Sequence, residues 1–96
     1  MKDKPRQPGH RKKRAAALEY RGVGAPRVVA VGEGLIAEKI EEVARQNDVP
    51  LVEDELLASV LVNVPLGDEI PENFYFAVAE ILAHIYRVSD LIDSYE

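Results

Sequence analysis

The chain has 96 residues and a mass of 10.7 kDa, 47% of its residues hydrophobic and 30% charged, so it builds one small domain around one core. It has no cysteine, which excludes disulfides, thiol nucleophiles and thiolate metal sites together. Its net charge of −5 is unevenly divided: residues 1–14 hold seven Lys/Arg against one Asp, or +6, which leaves −11 on residues 15–96.

That division predicts a basic, disordered N-terminal arm over 1–14, an acidic folded body over 15–90 and a frayed tail over 91–96. The arm holds Pro5, Pro8 and Gly9 and no apolar residue beyond Met1, so burial cannot offset the entropy of ordering it. A basic arm suits nucleic acid or an anionic membrane surface. With no interleaved aromatic and an acidic body behind it, a solvated leader is the simpler reading, and no nucleic acid is expected. The longest mostly apolar stretch, Phe74–Val88, is interrupted by Glu80, His84 and Arg87, against the about 18 unbroken apolar residues of a membrane span. No apolar run follows the N-terminal charges as a signal peptide requires. A cytoplasmic location is expected.

In chain order, residues 15–20 read as a short strand, since Gly22 and Gly24 stop a helix there within two turns. Pro26–Gly32 is a β-branched run with consecutive apolar residues, the pattern of a strand covered on both faces. Gly32-Glu33-Gly34 turns into a helix whose Ile36, Ile40, Val43 and Ala44 recur at helical spacing and which ends at Asn47-Asp48. Val49–Glu53 is a second apolar run, and with the helix before it completes a predicted parallel β-α-β unit. Asp54 is placed to cap a short helix with Leu56, Leu57, Val60, Leu61 and Val64 on one stripe. Pro71 opens the last helix, which runs to about Ser89 or beyond. The fold class is α/β: a small single domain, a short central sheet containing the parallel unit, and about three flanking helices.

The last helix has more apolar surface than one core face needs. Phe74, Ala77, Val78, Ile81, Ile85, Val88 and Ile92 fall on one stripe at about 100° per residue. Tyr75, Ala79, Leu82 and Tyr86 form a second stripe beside it, which widens the apolar arc to about 200°. Either the helix is wedged between the sheet and another helix, or the second stripe is an exposed groove for a partner.

Chemical motifs are few. Gly32-x-Gly34-x-x-Ala37 follows a strand and opens a helix, with Glu53 lying 21 residues beyond Gly32, so it matches a dinucleotide-binding fingerprint. Glu33 opposes that reading by placing a carboxylate where a pyrophosphate would sit. The simpler alternative makes both glycines parts of a tight turn. His10, His84, Ser59 and Ser89 have no catalytic partner at a readable spacing. Glu53-Asp54-Glu55 could gather a hard cation, but consecutive acids point in different directions and capping explains Asp54. No catalytic residue, cofactor or metal site is expected.

Ala25-Pro26-Arg27-Val28-Val29-Ala30-x-Gly32, Val49-Pro50-x-Val52-Glu53, Leu57-Ala58, Gly67-x-x-Ile70-Pro71 and Phe74-Tyr75-x-Ala77-Val78-Ala79-Glu80-Ile81-Leu82-Ala83-x-Ile85-Tyr86 resemble, in that order, the cytoplasmic C-terminal domain of the FlhB/YscU/SpaS family. Members are the export-gate and substrate-specificity-switch proteins of flagellar and type III secretion. Ala17-Leu18-x-Tyr20 resembles the end of the strand that follows the family's self-cleavage site. The family cleaves itself at Asn-Pro-Thr-His, and aligned back from Tyr20 those positions hold His10, Arg11, Lys12 and Lys13. The chain contains no Asn-Pro pair. Members also carry four transmembrane helices ahead of this domain, so the resemblance implies a free-standing paralogue of the fragment that cleavage releases.

The resemblance further implies a non-enzymatic binding module that docks export substrates or gate proteins and meets the membrane only through the export apparatus. Its substrate patch falls on Ala25, Pro26, Ala79 and Leu82. Together with Tyr75 and Tyr86 from the stripe count, these are the candidate partner-binding residues. A dinucleotide-binding mini-domain and a basic-arm nucleic-acid or membrane-surface adaptor are the alternatives.

Overall fold

Small side chains in the first strand determine how closely the next layer can lie. The computed structural model describes residues 12–93, with side chains through Arg87. Strand β1 spans Arg14–Glu19, β2 Arg27–Glu33, and helices α1, α2 and α3 span Leu35–Gln46, Glu55–Leu61 and Tyr75–Asp93. A 3-10 turn over Glu72–Phe74 leads into α3.

The two strands pair antiparallel, from Arg14 opposite Glu33 to Ala17 opposite Ala30, and then slip so that Leu18 faces Val28. Val29 is the extra residue of this β-bulge. Without it, the three-residue spacing from Val28 to Val31 would send their side chains to opposite faces. With it, both join one core: Val28, Leu57, Leu61, Val64, Ile70 and Val78 are buried together, and Val31 packs against them.

On the opposite face the alternating positions are Ala15, Ala17, Ala30 and Gly32. Nothing bulky separates this surface from α1, whose Ala37 is fully buried. Both faces of the sheet are therefore covered, as the consecutive apolar run in β2 predicts, although Val29 at the bulge stays about half exposed.

Helix boundaries follow local chemistry. Gly34 precedes α1 at φ 62°, ψ −128°, a conformation open only to glycine. At the other end, Val49 N–H donates to the Ala44 carbonyl at 2.8 Å and Asp48 N–H to Arg45 at 3.3 Å, with Asp48 left-handed at φ 59°. This is the paired closure that satisfies the last carbonyls of a helix. Asp54 Oδ1 accepts from Leu57 N–H at 3.0 Å and caps α2 as expected.

After α2, the 67–70 loop is strapped to β2. Val28 N–H donates to Asp68 O, Gly67 N–H to Val28 O and Ile70 N–H to Pro26 O, all within 2.7–3.0 Å. The strap inserts Ile70 into the core and buries Pro26.

The expected parallel β-α-β unit does not form. Residues 49–53 belong to no strand, and Val49, Leu51 and Val52 remain about half exposed. Eight residues, 47–54, separate α1 from α2; Asp48 and Val49 close the first helix and Asp54 caps the second. Instead β2 finds its partner in β1, through a short loop in which Gly22 and Gly24 take φ 92° and 73°. The apolar faces of α1 and α2 are also narrower than expected, with Ile36 and Leu56 at the surface. Pro71 caps the 3-10 turn, and α3 starts at Tyr75.

The boundaries drawn from charge also shift. Arg14 already lies in β1, and the Lys13 carbonyl accepts from Gly34 N–H at 2.7 Å. Residues 1–11 of the expected arm and 94–96 of the expected tail lie outside the described residues. Helix α3 continues through 91–93.

Candidate partner-binding surface

Helix α3 faces two environments. Val78 is 1% exposed, and Phe74, Ala77 and Ile81 pack on the core around it. This is the first stripe, facing inward as its spacing requires; Val88 and Ile92 lie outside the described side chains. The second stripe lies beside it. Tyr75, Ala79 and Tyr86 are exposed, with Tyr75 at 42% and Tyr86 at 48%. Leu82 differs from these three: it is half-buried and packs against the core, so it forms the seam between the two stripes.

The exposed surface extends beyond the four predicted positions. Phe76 is 76% exposed, and Ala83 lies one turn beyond Ala79 on the same side. Counting by angle leaves both outside the second stripe. They project on the flank of the second stripe away from the core, and an aromatic there needs a reason. The result is a shallow saddle with Tyr75 and Phe76 at one end, Tyr86 at the other, and a floor of Ala79 and Ala83. Eleven residues separate its ends, or about 16 Å along the helix.

The other two predicted residues are placed differently. Ala25 is half-buried, and Pro26 is buried with its carbonyl engaged by Ile70. Pro26 therefore offers no contact surface. It anchors the strap whose Ile70 shares the core with Val78.

The remaining motifs have local roles. A Cβ on Gly32 would meet Ile36, and Gly34 supplies the positive φ of the turn, so packing and backbone geometry account for both glycines of the fingerprint. Glu53 is exposed. Ser59 Oγ donates to the Leu56 carbonyl at 2.7 Å, within its own helix, and His84 is exposed. Among the described residues no group of three or more His, Asp or Glu is placed to hold a metal ion. No described helix is long and apolar enough to cross a membrane.

The N-terminal cations meet acids of β2 and α1. Lys13 Nζ lies 3.1 Å from Glu41, which Arg45 also approaches, and Arg14 Nε lies 3.2 Å from Glu33. These pairs are solvent-facing, worth about 0–1 kcal/mol each, so they bias the chain's course without holding the fold.

Residues 11–85 match the FlhB HrpN YscU SpaS family. The chain is similar to the uncharacterized protein YlqH of Bacillus subtilis (strain 168), 37% identical over 82 residues, covering 83% of this chain and 88% of YlqH. It is similar to the flagellar biosynthetic protein FlhB of Aquifex aeolicus, 47% identical over 74 residues, covering 74% of this chain and 21% of that protein. The corresponding values for FlhB of Escherichia coli (strain K12) are 40% over 77 residues, 77% and 20%. The chain thus spans about a fifth of the length of these FlhB relatives. Among solved structures it is similar to a histidine-to-alanine variant of the EscU C-terminal domain, with a TM-score of 0.71, 30% identity, and coverage of 76% of this chain and 92% of that one.

Proposed function

The chain belongs to the FlhB, HrpN, YscU and SpaS family of flagellar and type III export proteins, and from that premise we propose that it is a non-enzymatic protein-binding module of the export apparatus. It docks export substrates or gate components in place of the cleaved C-terminal fragment of the export switch protein. It works on the cytoplasmic side of the inner membrane and reaches the membrane through the export gate.

The observation that carries this reading is the solvent-facing apolar stripe on α3. A helix packed on one side only has no use for Tyr75, Phe76 and Tyr86 in water, and each hydrophobic group left exposed forgoes about 25 cal/mol per Å² of burial. The mechanism is apolar docking of a short segment along the saddle, with Ala79 and Ala83 letting it approach the helix backbone. Ala25 is the one further contact residue of this reading, Leu82 fixes the saddle to the core, and Pro26 anchors the strap whose Ile70 shares that core.

Affinity measurements with purified export-gate components and hook-type substrates test the proposal. A carboxylate in the saddle must be desolvated on docking, at about 1–3 kcal/mol, so Ala79→Asp weakens binding by about five- to 140-fold while the fold persists. Undiminished binding by a folded Ala79→Asp protein would exclude this surface.

A further inference from the structure

We propose that the outer edge of β1 takes up an extended, proline-free strand of another polypeptide, which lies between β1 and residues 49–53 and joins both into one sheet. This site is separate from the α3 saddle, and either can fail without the other.

Unused backbone groups carry the inference. Gly34 N–H bonds the Lys13 carbonyl, so the alternation of an antiparallel ladder turns the N–H and C=O of Ala15 and Ala17 toward β2 and those of Ala16 and Leu18 away from it. The corresponding outward groups of Val28 in β2 are bonded to the 67–70 strap. Those of Ala16 and Leu18 have no backbone partner among the described residues. The interior of β1 is three alanines and a leucine, with no charge or proline to block pairing along this edge.

The linker after α1 supplies the other side of the gap. Helix α1 lies over the face of Ala15 and Ala17, while α2 packs against β1 and sends Leu57 and Leu61 into the core on the opposite face. With the outer edge of β2 closed by the strap, residues 47–54 make this crossing on the β1 side. Val49, Leu51 and Val52 are about half exposed, and the backbone groups of Leu51 and Glu53 have no partner among the described residues. In a strand, Leu51 and Glu53 share one side and Pro50 takes the other, where its missing N–H costs no ladder bond.

The chemistry of the gap selects its occupant. Bonding groups on both sides call for one strand with both of its edges free. A second copy's β1 is already held along one edge by its own β2, so it satisfies one side only. Residues 1–11 contain Pro5 and Pro8, which a central strand does not tolerate. A strand flanked by α1 and α2 is apolar and β-branched at consecutive positions, as β2 is.

Amide hydrogen exchange of the full chain, with and without the synthetic peptide Lys-Val-Ile-Val-Val-Thr-Lys at up to about 1 mM, tests this. The expected result is exchange slowed by about tenfold or more at Ala16, Leu18, Leu51 and Glu53. N-methylation of either alternate set of peptide residues abolishes the protection, because each set bonds one side of the gap. Ala16→Pro removes an N–H that β2 does not use, and Leu51→Pro removes one on the other side, outside every helix and strand. Each weakens peptide binding by about tenfold or more, and Leu51→Pro does so with circular dichroism unchanged. Four results overturn the proposal: no protection by the peptide; protection confined to β1 that tolerates one methylated set; protection of Ala16 and Leu18 in the chain alone; or a folded Leu51→Pro protein that binds the peptide undiminished. Export-partner binding is read separately through Ala79→Asp, so none of these results bears on the saddle.

Discussion

Gly32 in β2 and Ile36 in α1 stand so close that a Cβ built on Gly32 would lie 2.3 Å from Ile36 Cγ2 and 2.9 Å from Ile36 Cβ. The backbone nitrogen of Ala37 would be 3.2 Å away. Ile36 Cβ and Ala37 N belong to the helix framework, so rotating a side chain does not relieve the clash. The absence of a side chain at Gly32 thus sets the distance between the sheet and α1.

Gly32→Ala should therefore destabilise the domain by about 1–3 kcal/mol through overpacking. Gly34→Ala should cost about 1–3 kcal/mol because its φ of 62° with ψ of −128° is open only to glycine. Thermal melts read both as drops of about 4–8 °C per kcal/mol. Calorimetric titration of the wild-type protein with NAD, NADP and ATP should be silent, and micromolar affinity for any of them would assign the glycine turn to phosphate.

Asp48 offers the opposite effect. It occupies the left-handed position at the end of α1, where glycine has no steric penalty. Asp48→Gly should stabilise the protein by about 0.5–1 kcal/mol. A lower melting temperature in that variant would show that the Asp48 side chain contributes more than its backbone costs.

Adjacent positions on α3 should respond in contrasting ways. Val78→Asp buries an unpaired carboxylate in the core and should unfold the domain, as should Ile81→Asp. Ala79→Asp should leave the melting temperature within a few degrees, since surface changes fall within about 0.5 kcal/mol. Leu82→Asp should fall between the two, because Leu82 packs on the core while half-exposed. Equal melting of Ala79→Asp and Ile81→Asp would place the second stripe in the core.

The chain should not cleave itself. Positions 10–13 hold His, Arg, Lys and Lys where the family's Asn-Pro-Thr-His would align, and no Asn-Pro bond exists to cyclise. Intact mass spectrometry after days of incubation should return the full-length chain. A new terminus near Arg11 would reveal another cleavage chemistry.

Periodicity and capping carry into the structure where local chemistry is sufficient. Helix α1 stops at Asn47-Asp48, and α2 starts at the Asp54 cap, as their residues dictate. The core stripe of α3 around Val78 was legible for the same reason. Strand pairing was not, because it depends on which segments meet: Val49–Glu53 has a strand's composition and no partner, while β1 has three alanines and pairs along its whole length. At the candidate site, counting by angle located Tyr75, Ala79 and Tyr86 but left Phe76 unassigned, because a single aromatic beside a stripe forms no pattern of its own. Nor could spacing reveal that Pro26 is buried, since the strap that covers it is a contact across some forty residues of chain.

Because Val29 adds one residue to β2 opposite β1, the number of residues between Val28 and Val31 acts as a parity switch. Deleting Val29 would straighten the ladder, yet it would turn either Val28 or the Val31 end of the strand inside out. Inserting one residue there would do the same. A single-residue change in length is thus far more damaging at this bulge than any one substitution of Val29, whose own side chain is half in water. In this strand the count of residues is under stronger physical constraint than their identity.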